Sequence, residues 1–127
     1  MKKIFFLLLF CNIGFSQQMQ IFCNQAQVCK FTPPEKEGNC KPYDNEALIL
    51  INEPHTIINI IDNNNKYTYF VLEEIQKSSD TYFTYKVIEE GGVTYYFTFN
   101  LDSKYLNIIK TVDESKTILS FFMNKIL

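Results

Sequence analysis

The sequence FTYKVIEEGGVTYYFTF, which spans residues 83–99, alternates large and polar side chains on both sides of a Gly-Gly pair. Alternation with a period of two in β-branched and aromatic residues is typical of half-buried β-strands. The pattern extends from Tyr67 to Phe122 and is interrupted by short turn signals. We therefore expect an antiparallel β-meander in this part of the chain. The turn signals are Ser78-Ser79-Asp80, Gly91-Gly92, Asp102-Ser103 and Asp113-Glu114-Ser115.

The turn type that Gly-Gly favours and the burial of apolar side chains predict different registers for the hairpin at Gly91-Gly92. A two-residue type I′ turn would place Glu90 opposite Val93 and set an apolar strand face against a polar one. A three-residue loop instead pairs Glu89 with Val93 and aligns the two apolar faces. Burying one large apolar side chain is worth roughly 1.5–3 kcal/mol, whereas the preferred turn type is worth about 1 kcal/mol. The sequence therefore predicts the three-residue loop, with Gly92 left-handed. The expected pairs are Phe83–Phe99, Tyr85–Phe97 and Val87–Tyr95, then Phe99–Leu106 and Phe97–Ile108 in the next hairpin.

Shorter strand signals precede the meander. Met19–Cys23, Ala47–Ile51 and Thr56–Ile61 are alternating or continuous apolar runs, which brings the expected total to about eight strands. Apolar residues also occur on the second face of the meander, so a simple one-sided sheet is disfavoured. The predicted fold class is all-β, an antiparallel meander that forms a closed or nearly closed up-and-down barrel. The alternative is an open twisted sheet or a roll.

Strand breakers separate the first two of these signals. Pro33-Pro34, Gly38-Asn39 and Pro42 lie in a stretch that carries charges of both signs. We expect an irregular surface loop near residues 30–46. The segment 17–127, which contains this loop, has the length of a single domain.

The segment 1–16 has the order of a secretory signal peptide. Lys2 and Lys3 form a basic start, an apolar run follows, and small residues lie before Gln17. We expect cleavage after Ser16 and a secreted or periplasmic protein. A bacterial lipoprotein would need a small residue just before Cys11, where Phe10 stands in this chain. No other apolar run is long enough for a transmembrane segment.

The negative net charge of the chain argues against a nucleic-acid partner. The formal net charge of −2 becomes −4 once Lys2 and Lys3 are removed, and the chain contains no arginine. Nucleic-acid binding requires clustered Lys and Arg to neutralise phosphates. We therefore expect no nucleic-acid partner, and no motif in the sequence predicts a cofactor.

Three cysteines, Cys23, Cys29 and Cys40, remain after the expected cleavage. Export makes one disulfide plausible, and three connectivities are open. We favour Cys29–Cys40, because this bond would close the Pro-containing segment between them. The third cysteine is then expected to be a buried apolar side chain. Zinc is not expected, since the chain has no Cys-x-x-Cys spacing and His55 is distant in sequence.

A stripe of tyrosines is the strongest candidate for a binding site. Tyr67, Tyr69, Tyr85 and Tyr95 offer flat rings and hydroxyl groups that would suit an apolar or sugar ligand, although such a stripe more often forms core. By strand parity Glu73 falls on the same face as Tyr69. A carboxylate among apolar side chains would be a functional candidate, unless it lies where the strand end reaches water.

The sequence favours binding over catalysis. The leading hypothesis is an exported, non-enzymatic β-domain that binds a small apolar ligand or a protein partner. The alternative is an inhibitor or immunity-type interaction module that acts through the 30–46 loop or a sheet edge. A hydrolase is the third hypothesis. It would require His55, the one histidine of the chain, or Glu73 to converge with other polar groups in a concave site.

Overall fold

The computed structural model describes residues 19–32, 39–43, 46–63, 65–112 and 115–127, so the expected signal peptide lies outside the described residues. Nine β-strands account for most of these residues. Within this part of the chain there is no helix of the length and apolar character needed to cross a membrane. The strands are β1 (Met19–Phe31), β2 (Asn39–Tyr43), β3 (Ala47–Ile51), β4 (Ile57–Asp62), β5 (Asn65–Ser79), β6 (Tyr82–Glu89), β7 (Thr94–Asn100), β8 (Tyr105–Val112) and β9 (Ser115–Ile126).

Eight of the nine strands close into a barrel. From β3 to β9 each strand is antiparallel to the next in sequence. One edge of β1 pairs with β3, and the other edge pairs with β9 between Ile21 and Phe31, which closes the ring. The extra strand β2 lies beside the second half of β1. The predicted all-β up-and-down barrel is confirmed.

The segment predicted as an irregular loop near residues 30–46 contains regular structure. β1 continues to Phe31, and Asn39–Tyr43 forms β2. The prediction was wrong for these residues because it treated Pro42 as a strand breaker. β2 pairs with β1 along one edge, and a strand with a free edge tolerates a residue that donates no amide hydrogen bond. The remaining parts, 33–38 and 44–45, lie outside the described residues.

The predicted disulfide is confirmed. Cys29 and Cys40 are direct partners in the β1–β2 ladder and form a disulfide bond. Cys23 is buried inside the barrel and forms no disulfide with another described cysteine. Burial raises the pKa of its thiol to about 12, so it remains a neutral, apolar group at physiological pH.

The interior divides into two ends. The lower end contains Met19, the hairpin between β5 and β6, and the last residues of β9. The upper end contains the Gly91-Gly92 hairpin and the start of β9. Alternate residues of each barrel strand point inward, and large side chains fill the lower half of the barrel. Fully buried side chains include Ile21, Ile49, Ile51, Ile58, Val87, Phe97, Phe99, Leu106 and Phe121.

The predicted register of the Gly91-Gly92 hairpin is confirmed. The amide of Glu89 donates to the carbonyl of Val93 over 2.9 Å, and the amide of Gly92 donates to the carbonyl of Glu89 over 3.0 Å. Gly92 has a φ of 91°, as a left-handed residue that ends a three-residue loop requires. The confirmed pairs are Phe83–Phe99, Tyr85–Phe97, Val87–Tyr95, Phe99–Leu106 and Phe97–Ile108.

Substitution of the two glycines should have unequal effects. Gly92→Ala should lower the free energy of unfolding by about 1–2 kcal/mol, because alanine is strained in the left-handed region. Gly91→Ala should be nearly neutral, since its new Cβ would meet only the Glu89 carboxylate oxygen, at 3.4 Å. Urea unfolding of the two variants measures the difference, and equal destabilisation would contradict this register.

Loss of the disulfide should destabilise the barrel. The double variant Cys29→Ser, Cys40→Ser should lose about 3 kcal/mol, the loop-closure value for a bond with a sequence separation of 11. Denaturant unfolding with and without reductant provides the measurement. Reductant should lower the stability of the wild-type protein and leave the double variant unchanged, and a wild-type protein insensitive to reductant would contradict the expectation.

Candidate functional site

A cavity of about 170 Å³ lies in the upper half of the barrel. Small side chains lie directly opposite two of the residues that line it. Ala47 is directly opposite Asp62 in the β3–β4 ladder, and Ala26 is directly opposite Phe121 in the β1–β9 ladder, so each contributes only a methyl group. The wall is formed by Ile60, Asp62, Tyr67, Tyr69, Ile108, Leu119 and Phe121.

Asp62 is the charged residue in this wall. It follows Ile58 and Ile60 in the inward alternation of β4, just before the turn into β5. Its Oδ1 atom is buried and has no hydrogen-bond partner among the described residues. Asp62 forms no ion pair with any residue in the described ranges. A carboxylate with an unsatisfied oxygen lowers the stability of the folded protein. A ligand that supplies positive charge or hydrogen-bond donors would therefore bind favourably beside it.

Tyrosine rings form one side of the cavity and extend beyond it. Tyr67 is 47 % exposed, so the cavity reaches the surface beside its ring. Tyr69 is buried, with its ring centroid 5.7 Å from that of Tyr95 in an edge-to-face arrangement and 4.9 Å from that of Phe97. The hydroxyl of Tyr95 donates to Glu89 Oε2 over 3.1 Å.

Burial and negative charge keep these phenols protonated. Burial is the main cause that raises the pKa of Tyr69 to about 12, and Tyr95, Glu89 and Tyr67 add to the shift. Burial also raises the pKa of Tyr95, together with its hydrogen bond to Glu89. The tyrosine cluster also contains a positive charge. The Lys110 ammonium lies 5.9 Å from the centroid of the Tyr95 ring.

The structure brings together three of the four predicted tyrosines. Tyr67 and Tyr69 line the cavity and Tyr95 adjoins it, whereas Tyr85 lies at the lower end. There Tyr85 OH and His55 Nδ1 are hydrogen-bonded at 2.7 Å, and the His55 ring packs against Phe83. Burial raises the pKa of Tyr85, and the Glu74 carboxylate adds to the shift.

A tight turn places His55 under the barrel. Asn52 Oδ1 accepts hydrogen bonds from the amides of Thr56 and Ile57, and the amide of His55 donates to the carbonyl of Asn52. His55 itself has a φ of 55°, an uncommon conformation for a residue with a side chain of this size. The turn thus directs the imidazole onto the lower end, where it caps the interior aromatic rings.

The predicted face of Glu73 was wrong. Glu73 is directly opposite Lys86, which lies between the buried Tyr85 and Val87 and therefore points outward. The reason is a register shift between Val71 and Glu73, the first of three along β5. Each extra residue reverses the parity of the strand, and a sequence pattern with a strict period of two does not reveal it. After the shift Glu74, not Glu73, is opposite Tyr85.

Sequence reasoning missed Asp62 because the run from Asp62 to Asn65 carries a strong turn signal. The alternation of Ile58 and Ile60 contained the missing information, since continuing it by two residues puts Asp62 inside the barrel. The turn and the inward position coexist, because Asp62 and Asn65 are partners in the β4–β5 hairpin.

A larger depression of about 560 Å³ lies on the outer surface. Its lining includes the outward side chains of Phe22, Leu48 and Ile61, together with Glu46, Asn24 and Asn124. The apolar part of this surface is half-buried at Leu48 and Ile61 and exposed at Phe22.

Comparisons of the chain with protein-family models, with curated proteins and with solved structures found no match.

The raised pKa of Tyr69 predicts how stability depends on pH. Between pH 10 and about 12 the unfolded chain loses the Tyr69 proton while the folded protein retains it, so the free energy of unfolding falls as the pH rises. Tyr69→Phe should make this fall less steep. Urea unfolding at a series of pH values gives both slopes, and an unchanged slope in the variant would refute the assignment.

Proposed function

We propose that this protein is a non-enzymatic binding domain that holds a small ligand in the upper cavity of its barrel. The observation that carries the proposal is the tyrosine-lined cavity that reaches the surface at Tyr67. A concave site with an apolar wall and a few polar groups is the usual arrangement for small-molecule binding. Because large side chains fill the lower half, a ligand inside the barrel would bind at the upper end.

The size of the cavity limits the ligand. A protein cavity of about 150 Å³ accepts benzene, whereas sites for drug-sized molecules measure about 300–1,000 Å³. The cavity of about 170 Å³ therefore suits a ligand of about the size of benzene, or one end of a longer molecule that leaves the barrel past Tyr67.

The positions of the candidate catalytic residues support binding rather than hydrolysis. His55 lies at the lower end with Tyr85, and Glu73 points to the outer surface, so neither contributes to the cavity. The groups in the cavity wall are a carboxylate, two phenols and hydrocarbon side chains, which suit recognition of a ligand.

We further propose that the protein acts outside the cytoplasm after signal-peptide cleavage. The Cys29–Cys40 disulfide is compatible with an oxidising compartment. The exposed part of β5 also suits a protein partner, the second candidate function. The second half of β5 extends beyond the start of β4 and exposes Leu72 and Ile75 at 52 % and 49 %. Exposed apolar side chains beside a sheet edge are typical of interaction sites.

Filling the cavity should abolish ligand binding. Ile108→Phe introduces a larger side chain into the wall, and Ile109→Phe makes the same change at the next residue, which points outward. Amide chemical shifts of the wild-type protein during titration with benzene should move at Tyr67 and Tyr69. The shifts should be lost in Ile108→Phe and retained in Ile109→Phe.

Equal binding by both variants would place the ligand elsewhere and contradict the proposal. Thermal unfolding of each variant shows whether the barrel remains folded. If Ile108→Phe fails to fold, Leu119→Phe tests the same wall from β9.

A further inference from the structure

We infer that the cavity selects a small organic cation, a protonated amine on a compact apolar body, held by the charge of Asp62 and by the tyrosine rings. This inference rests on the proposed ligand-binding function and specifies the chemistry of the ligand. It makes Asp62 the residue that determines specificity, whereas the shape of the cavity sets only the size of the ligand.

The first argument is the incomplete satisfaction of Asp62. Its carboxylate is part of a wall in which the other residues are aliphatic or aromatic. One carboxylate oxygen is buried without a hydrogen-bond partner, and Asp62 has no ion pair within the described ranges. Electrostatic attraction over a few ångströms is stronger beside protein than in bulk water, so this carboxylate would attract a cation in the cavity even without contact at the buried oxygen.

The second argument is the aromatic wall. Tyr67 and Tyr69 line the cavity, and the faces of aromatic rings attract cations. The neighbouring ring already demonstrates this, because the Lys110 ammonium lies 5.9 Å from the Tyr95 centroid. A primary ammonium on a small ligand would find the same kind of partner one ring deeper in the barrel.

The third argument is the charge of the cavity wall. Asp62 supplies the one carboxylate in this wall, whereas Glu89 and Lys110 lie beside Tyr95 outside it and carry opposite charges. An anionic ligand would be repelled by this excess of negative charge. A neutral apolar ligand would fit the space but would leave Asp62 without a compensating charge. A monovalent cation fits the space and neutralises the excess.

A matched pair of probes tests the inference. Cyclopentylamine is protonated at neutral pH, and cyclopentanol has nearly the same shape without the charge. Titrations followed by amide chemical shifts at Tyr67 and Tyr69 should give the amine an affinity at least about tenfold higher than that of the alcohol. Asp62→Asn should remove this preference by weakening the amine and leaving the alcohol almost unchanged.

The control variant is Glu90→Gln. Glu90 is an exposed carboxylate in the turn at the same end of the barrel, so its substitution removes the same net charge outside the cavity. It should retain the preference for the amine. Binding of both probes with equal affinity, or a preference that survives in Asp62→Asn, would overturn the inference while leaving the proposed function intact. Absence of binding by either probe and by benzene would overturn both.

Discussion

The pairing of Glu89 with Val93 is the contact on which the interior depends. Side chains in a strand alternate between faces, so a shift of one residue at this hairpin would exchange inside and outside along β7. The observed register puts Phe83, Tyr85 and Val87 on the same side as their partners on β7. The aromatic filling of the lower half and the rings that pack against Tyr69 beside the upper cavity both follow from it, because Phe97, Phe99 and Tyr95 lie on this one strand.

Much of this arrangement was predictable from the sequence, and the failures have physical reasons. Alternating residues and glycine geometry predicted the barrel and the hairpin, since burial and turn conformation act over short stretches. The face of Glu73 was not predictable because extra residues in β5 break the period. Asn39–Tyr43 was missed because Pro42 disfavours a strand except at an edge, and edge position is decided by tertiary structure. Asp62 combines a turn signal with an inward position, and only the second is relevant to binding.

The two ends of the barrel use polar groups differently. At the lower end His55 and Tyr85 satisfy each other over 2.7 Å, and the imidazole covers Phe83. At the upper end Asp62 keeps one oxygen without a partner among the described residues. A polar group that is satisfied within the protein stabilises the fold, whereas a carboxylate with an unsatisfied oxygen is stabilised when a cation binds nearby. This contrast distinguishes the cap from the cavity.

Closure of the ring between β1 and β9 has a consequence for how the protein reaches its folded state. Every other neighbouring pair in the ring joins strands that are close in sequence, whereas this pairing joins Ile21 to Ile126 across nearly the whole chain. Contacts of such long sequence separation form late, because the entropy of bringing distant segments together must be overcome first. During synthesis β9 leaves the ribosome after the other strands of the ring, so the cylinder cannot close before β9 has been made. Until then the edges of β1 and β8 that pair with β9 are unpaired, and such edges are where a strand of another chain can add.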